Sequence, residues 1–509
     1  MNHIKTLGEL KRSGYKSRSV KDEIRQNLIK KLQNKETTFS GIVGYEDSVI
    51  PDVERALLSR HNILFLGLRG QAKTRMARQM TELLDEYIPV IAGSDINDDP
   101  LNPISASAKK LIAEQGDETP IEWMHRSQRY GEKLATPDVS VADLIGDIDP
   151  IKAANLKLSF ADERVIHYGI IPRSNRGIFV INEIPDLQAR IQVALFNILE
   201  EGDIQIRGFK LRLPLDILFV FTANPEDYTN RGSIVTPLKD RIESQILTHY
   251  PKSIEMALEI TEQEANILDE QKASVKLSDL IKRLIEQVSF EARGSEFVDK
   301  KSGVSARLSI AAFENAVSAA ERRAILNKEK ETQVWISDLN GIIPSITGKI
   351  ELVYEGEQEG PYQVAINLLE KAIRSLFAVY FPNPDQLKKR KAKEAQQPQD
   401  NPYRAITGWF DKGNSLNLFL NTRDSEKMQQ LYKVDGLHAF VKKYFKHANE
   451  KEAALLMEFV LHGLAAYSLI SKKIVEGKIE FKDLMGSMLN IGSGSSYSDE
   501  DLEGDDYNR

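Results

Sequence analysis

Apolar residues follow two patterns along the chain, and the change between them lies near residue 250. Between residues 39 and 250, short apolar runs alternate with stretches of helical spacing. Ile63 to Leu66, Ile178 to Ile181 and Ile217 to Phe221 are continuous apolar runs, as a strand covered on both faces requires. Met76, Ala77, Met80, Leu83 and Leu84 recur at helical spacing directly after the first run. This alternation predicts a parallel sheet between helical layers, a three-layer α/β/α core over residues 39–250. Residues 251–345 read as helical, with Leu308, Ala312, Ala316 and Ala319 on one face. Residues 346–485 read as mainly helical too. Ala365, Leu368, Leu369, Ala372, Ile373 and Leu376 mark one helix there, and Leu456, Phe459, Val460, Gly463, Tyr467 and Ile470 another. Residues 1–38 are polar and rich in Lys and Arg, a helical arm. Residues 382–402 form a Pro-containing basic linker, with Lys388-Lys389-Arg390-Lys391 at its centre. The acidic, Gly- and Ser-rich tail, residues 486–509, has too little apolar surface to fold.

The first apolar run leads into Gly67-Leu68-Arg69-Gly70-Gln71-Ala72-Lys73-Thr74 and then a helix. Strand, glycine-containing loop, Lys-Thr and helix make a phosphate-binding loop. Gly67 and Gly70 let the backbone curl so that N–H groups, with Gln71 and Ala72 among them, face phosphates. Lys73 is placed to reach the β- and γ-phosphates, and Thr74 to ligate Mg²⁺. The last glycine of the usual pattern is Ala72 here, which puts a methyl group into the loop.

The second run ends in Asn182-Glu183. Its strand is expected beside the phosphate-loop strand, with its end next to Mg²⁺ and the attacking water. Glu183 is the candidate general base. Asn182, where an Asp is usual, can bond metal-bound water but carries no charge. The third run ends in Thr222-Ala223-Asn224-Pro225, and Asn224 is a candidate contact for the γ-phosphate or the lytic water. Arg241, in Leu238-Lys239-Asp240-Arg241, is a candidate finger acting on a neighbouring subunit's nucleotide; the plain alternative is an ion pair with Asp240 or Glu243.

Composition narrows the classes. The 509 residues suffice for several domains, and the net charge of −7 gives no overall pull toward nucleic acid or anionic membrane. With no cysteine, thiol catalysis and Cys-ligated metal are excluded. No apolar run reaches membrane-spanning length and no apolar signal core opens the chain, so a cytoplasmic protein is expected.

Taken together, these motifs resemble the AAA+ ATPases, specifically the ATPase (I) subunit of magnesium chelatase and the MoxR-type family. Phe39-Ser40-Gly41-Ile42-Val43-Gly44 is similar to that family's entry segment, which implies Val43 and Gly44 beside the adenine. Gly146-Asp147-Ile148-Asp149 and Gly169 to Gly177 resemble further family stretches. Thr222 to Asp227 resembles sensor 1, and Leu238 to Arg241 the arginine finger. Ser305-Ala306-Arg307 resembles sensor 2, which implies that Arg307 reaches the nucleotide from a helical lid, residues 251–345. Residues 143–168 correspond to the family's helix-2 insert. Residues 203–213 alternate apolar and polar around Gly208, a β-hairpin pattern matching its pre-sensor hairpin. The resemblance covers about residues 39–345 and implies an ATP- and Mg²⁺-dependent ATPase. It further implies a homo-oligomeric ring that remodels a partner with a von Willebrand A-type domain. Alternatives are a true magnesium chelatase subunit and a nucleotide-gated scaffold with little hydrolysis. An enhancer-binding transcription activator is set aside, because its G-A-F-T-G-A loop is absent.

Overall fold

The computed structural model describes residues 4–159, 163–205, 212–225, 233–387, 401–475 and 477–484. The chain divides into two compact units, residues 1–256 with 301–305 and residues 257–300 with 306–509.

The first unit is built on five strands: β1 (Ile63–Leu66), β2 (Tyr130–Leu134), β3 (Gly177–Asn182), β4 (Ile217–Ala223) and β5 (Ser244–Leu247). Their spatial order is β5-β1-β4-β3-β2 and all pairs are parallel. Because strand side chains alternate between faces, each apolar run feeds two cores. Ile63, Phe65, Ile178, Val180, Leu218 and Val220 pack with Val20, Ile24, Val53, Met76 and Met80 on one side. Leu64, Phe179, Ile181, Phe219 and Phe221 pack with Ile171, Ile191, Leu195 and Leu238 on the other. Full burial of each such side chain contributes about 1.5–3 kcal/mol. These two faces make the expected α/β/α core.

One expectation is overturned. The strand ending in Asn182-Glu183 does not neighbour the phosphate-loop strand, because β4 lies between β1 and β3. All three runs are apolar on both faces, so periodicity alone could not order them.

The N-terminal segment forms helices Leu7–Arg12 and Val20–Gln33. The second belongs to the core through Val20, Ile24 and Leu28. It is tied down by a buried bidentate pair, in which Arg129 donates to both Glu23 oxygens at 2.7 Å. In the insert region, Gly146–Ile148 pairs antiparallel with Ile166–Tyr168. Asp203–Gln205 pairs antiparallel with Arg212–Pro214, while the turn around Gly208 lies outside the described residues. The Lys388 to Lys391 cluster, the tail 486–509 and Glu226-Asp227 of the sensor segment lie outside them as well.

The second unit is mainly helical, with long helices Asp279–Gly294, Arg307–Asn327, Pro361–Tyr380 and Glu450–Ala466. Gly463 is required in the last of these: a Cβ there would meet the Phe377 ring at 2.0 Å. The helical spacing up to Ile470 overran the element, which ends at Ala466. A small antiparallel sheet, missed from sequence, joins Leu416–Phe419, Lys478–Lys482 and Ser471–Val475.

Candidate functional site

The C-terminal ends of β1, β3 and β4 bring the predicted polar residues together. Registers Leu66↔Ala223 and Phe221↔Ile181 set the three ends side by side. After β1 the loop curls through Gly70, at φ +72°. Ala72 stands at φ +57° and ψ 12°, left-handed backbone that usually requires glycine. The chain thus keeps the loop's conformation without the glycine, at a cost of about 1–2 kcal/mol. Gly67 is needed for space: a Cβ would lie 1.9 Å from Thr248 Oγ1 and 2.3 Å from Gln71 Oε1. The Thr248 hydroxyl donates to that Gln71 oxygen at 2.6 Å, which pins the loop to the end of β5. The Tyr45 hydroxyl donates to the carbonyls of Gln71 (3.0 Å) and His249 (2.8 Å). The entry segment with Val43 and Gly44 is thereby anchored to the loop. Burial pushes the Tyr45 phenol up to about 12, so it stays a donor.

The Lys73 ammonium is buried. It donates to the carbonyl of Gly67, to that of Leu68 at 3.0 Å, and to Asn224 Oδ1 at 2.6 Å. Asn224 passes the link on, donating from Nδ2 to Glu183 Oε2 at 2.9 Å. Glu183 itself sits at φ 54° and ψ 51°, a left-handed conformation rare for a non-glycine residue. Such strain, about 1–3 kcal/mol, persists where the surroundings impose it and clusters at functional positions. Here the Thr222 hydroxyl accepts the Glu183 N–H at 3.1 Å.

Asn182 is the second hub. Its Oδ1 accepts from the Thr74 hydroxyl at 3.2 Å and the Thr222 hydroxyl at 3.1 Å. Its Nδ2 donates to Glu132 Oε1 at 2.7 Å. Glu132, on β2, was missed from sequence. Tyr130-Gly131-Glu132-Lys133-Leu134 has no apolar run, and only the edge position of β2 explains its half-polar pattern. Glu132 also takes a two-pronged contact from Arg78, at 2.9 and 3.0 Å, and a hydrogen bond from the Tyr130 hydroxyl at 2.9 Å. Burial alone would raise the Glu132 carboxyl, but the Arg78 and Tyr130 bonds outweigh it and hold it below its ordinary value.

The cluster therefore unites Lys73, Thr74, Asn182, Glu183 and Asn224. Arg241 stands outside it. Arg241 donates to Glu200 at 2.8 and 2.6 Å and to the Pro237 carbonyl at 2.9 Å, and lies over the Phe196 ring. Its carboxylate partner is Glu200, not Asp240 or Glu243. Arg307 opens a long helix of the second unit.

A parallel β5-β1-β4-β3-β2 sheet with a glycine-containing Lys-Thr loop after β1 and a polar pair after β3 is an α/β layout of the kind expected for an AAA+ P-loop core. Within that class the chain resembles the magnesium-chelatase ATPase subunit. The family model described as the sigma-54 interaction domain matches residues 155–245. The magnesium-chelatase 38 kDa subunit of Cereibacter sphaeroides is 24% identical over 229 residues, covering 44% of this chain and 61% of the relative. That of Rhodobacter capsulatus is 24% identical over 226 residues, covering 44% and 59%. The chain thus spans about 60% of the length of these curated relatives. Among solved structures, the complex between BchI and BchD of magnesium chelatase is 18% identical, with a TM-score of 0.33, and 63% of this chain and 98% of that one covered. NtrX from Brucella abortus in complex with ADP is 11% identical, with a TM-score of 0.38 and 72% of each chain covered. Among the described residues no helix is long and apolar enough to cross a membrane.

Proposed function

We propose that this chain binds ATP with Mg²⁺, hydrolyses it, and uses the cycle in an oligomeric ring to remodel a partner protein. The observation that carries the reading is the continuous link Lys73–Asn224–Glu183 beside Thr74–Asn182, where a helix start meets the ends of two parallel strands. The donor set suits the ligands. Two loop carbonyls and an amide oxygen are among the partners of the Lys73 ammonium, neutral acceptors that phosphate oxygens replace favourably. Thr74 and Asn182 offer hard oxygen donors, as Mg²⁺ prefers. Among the described residues no cluster of three or more His, Cys, Asp or Glu is placed to hold a metal. That fits a cation held largely through the nucleotide's own phosphates. When bound, Mg²⁺ supplies charge neutralisation at the phosphates. Lys73 binds and orients the phosphate chain. Glu183 takes the proton from the attacking water, and Asn224 positions the Glu183 carboxylate. Arg241 leaves Glu200 for the neighbouring subunit's nucleotide, and Arg307 acts from the lid of its own chain. By likeness to the chelatase, the partner carries a von Willebrand A-type domain.

A second reading, a nucleotide-gated scaffold with little hydrolysis, draws on the neutral Asn182. One set of measurements separates the two. Glu183→Gln should keep ATP binding and lose about 10²- to 10⁴-fold in turnover. Mixing Glu183→Gln with Arg241→Ala chains should restore part of the activity, because some interfaces regain both intact groups. Wild-type assemblies with Mg²⁺ and no ATPase above background would leave the scaffold. A monomer with full activity, unaffected by Arg241→Ala, would remove the ring.

A further inference from the structure

We propose that Glu132 supplies, through Asn182, the negative charge that the Mg²⁺ shell lacks at position 182. The inference rests on the ATP–Mg²⁺ reading of the site. Its geometric basis is the edge pairing of β2 on β3, with Leu134 opposite Asn182 and Glu132 opposite Val180. Residues two apart share a strand face, so Glu132 and Asn182 project toward the side that carries the phosphate-loop helix. There Glu132 Oε1 accepts the Asn182 Nδ2 proton at 2.7 Å, while Asn182 Oδ1 faces the Thr74 hydroxyl at 3.2 Å.

This arrangement orients the amide. A carboxylate on the nitrogen side fixes the oxygen toward Thr74, and an anionic acceptor polarises the amide so that its oxygen gains negative character. Glu132 and Asn182 together present one oxygen and one negative charge, which a single aspartate would otherwise provide. The competing view makes Glu132 merely the anchor for Arg78, which binds it at 2.9 Å. The exposures favour a shared role. The Arg78 side chain is 62% exposed and that of Glu132 is 23% exposed. Arg78 can therefore swing into water at little cost, since exposed ion pairs contribute about 0–1 kcal/mol. Glu132 keeps its part-buried bond to Asn182 and is a positioning residue.

The test measures ATP affinity by calorimetry with Mg²⁺ and with EDTA, and Mn²⁺ binding to the ATP complex by electron paramagnetic resonance. Glu132→Gln should leave affinity in EDTA unchanged and lower the Mg²⁺-dependent gain and the Mn²⁺ affinity about 10- to 100-fold. Adding Asn182→Asp to Glu132→Gln moves the charge onto the ligand itself and should restore both. Arg78→Gln should reduce neither. A merely structural Glu132 predicts the reverse: loss in EDTA as well, an equal loss in Arg78→Gln, and no rescue by Asn182→Asp. Any of these overturns the proposal, as does an unchanged Mg²⁺ gain in Glu132→Gln with ATP binding intact. The last result spares the ATP reading, whereas a wild-type chain that binds no ATP removes both.

Discussion

The two units each bury a polar centre, and the centres differ in the acceptors they offer their cation. In the second unit Arg323 donates to Asp338 at 3.1 Å from two nitrogens, to Asp424 at 2.7 Å, and to Thr332 and the Gln333 carbonyl at 2.9 Å. Trp335 Nε1 closes the network on Asp424 at 2.7 Å. Charge meets charge, and the network joins the long helix to the segments after it. In the first unit Lys73 is buried too, and the Gly67 and Leu68 carbonyls and the Asn224 amide oxygen, all neutral, are among its partners. A cation held by opposite charges is committed to structure. A carbonyl or amide acceptor, as at Lys73, can be exchanged for a stronger one. Burial of a polar group does not separate function from stability; the partners do.

The largest effect should come from the closed network. Arg323→Met leaves Asp338 and Asp424 buried without their cation and should cost about 3–5 kcal/mol in urea unfolding of the second unit. A cost below about 1 kcal/mol would break the contrast. Asp216 sharpens it within the first unit. Burial pushes its carboxyl up to about 6, although it accepts the Val20 N–H at 2.8 Å. The folded state therefore disfavours its charge. Its contribution to stability is neutral below the unfolded value near pH 4 and becomes unfavourable as pH rises through about 6. Asp216→Asn keeps the acceptor and should gain about 2–3 kcal/mol over wild type between pH 4 and pH 7, read from urea midpoints. An equal difference at both pH values would refute this.

Lys73→Ala comes next. It should abolish ATP binding while costing the fold only about 1 kcal/mol, since water can satisfy the freed acceptors. A destabilisation matching Arg323→Met would make Lys73 structural. The smallest effect belongs to Ala72→Gly. Relief of the left-handed strain and loss of a methyl contact nearly cancel, so melting should shift by less than about 1 kcal/mol, with ATP affinity unchanged or improved. A marked loss of stability would show that the methyl packing outweighs the backbone strain.

The sequence by itself located the glycine-containing loop after β1, the α/β/α core and the polar residues Lys73, Thr74, Asn182, Glu183 and Asn224 that the structure brings together, because these depend on local order: an apolar run, then its polar end. Tertiary structure decided what local order cannot encode. It inserted β4 between β1 and β3, since runs that are apolar on both faces fit any interior position. It brought Glu132 to Asn182 across an edge strand with no apolar signature. It gave Arg241 the distant Glu200 in place of its chain neighbours, because adjacent residues on a short helix do not face one another. Contacts between residues far apart in the chain are set by which strands and helices pack together, and only the fold supplies that.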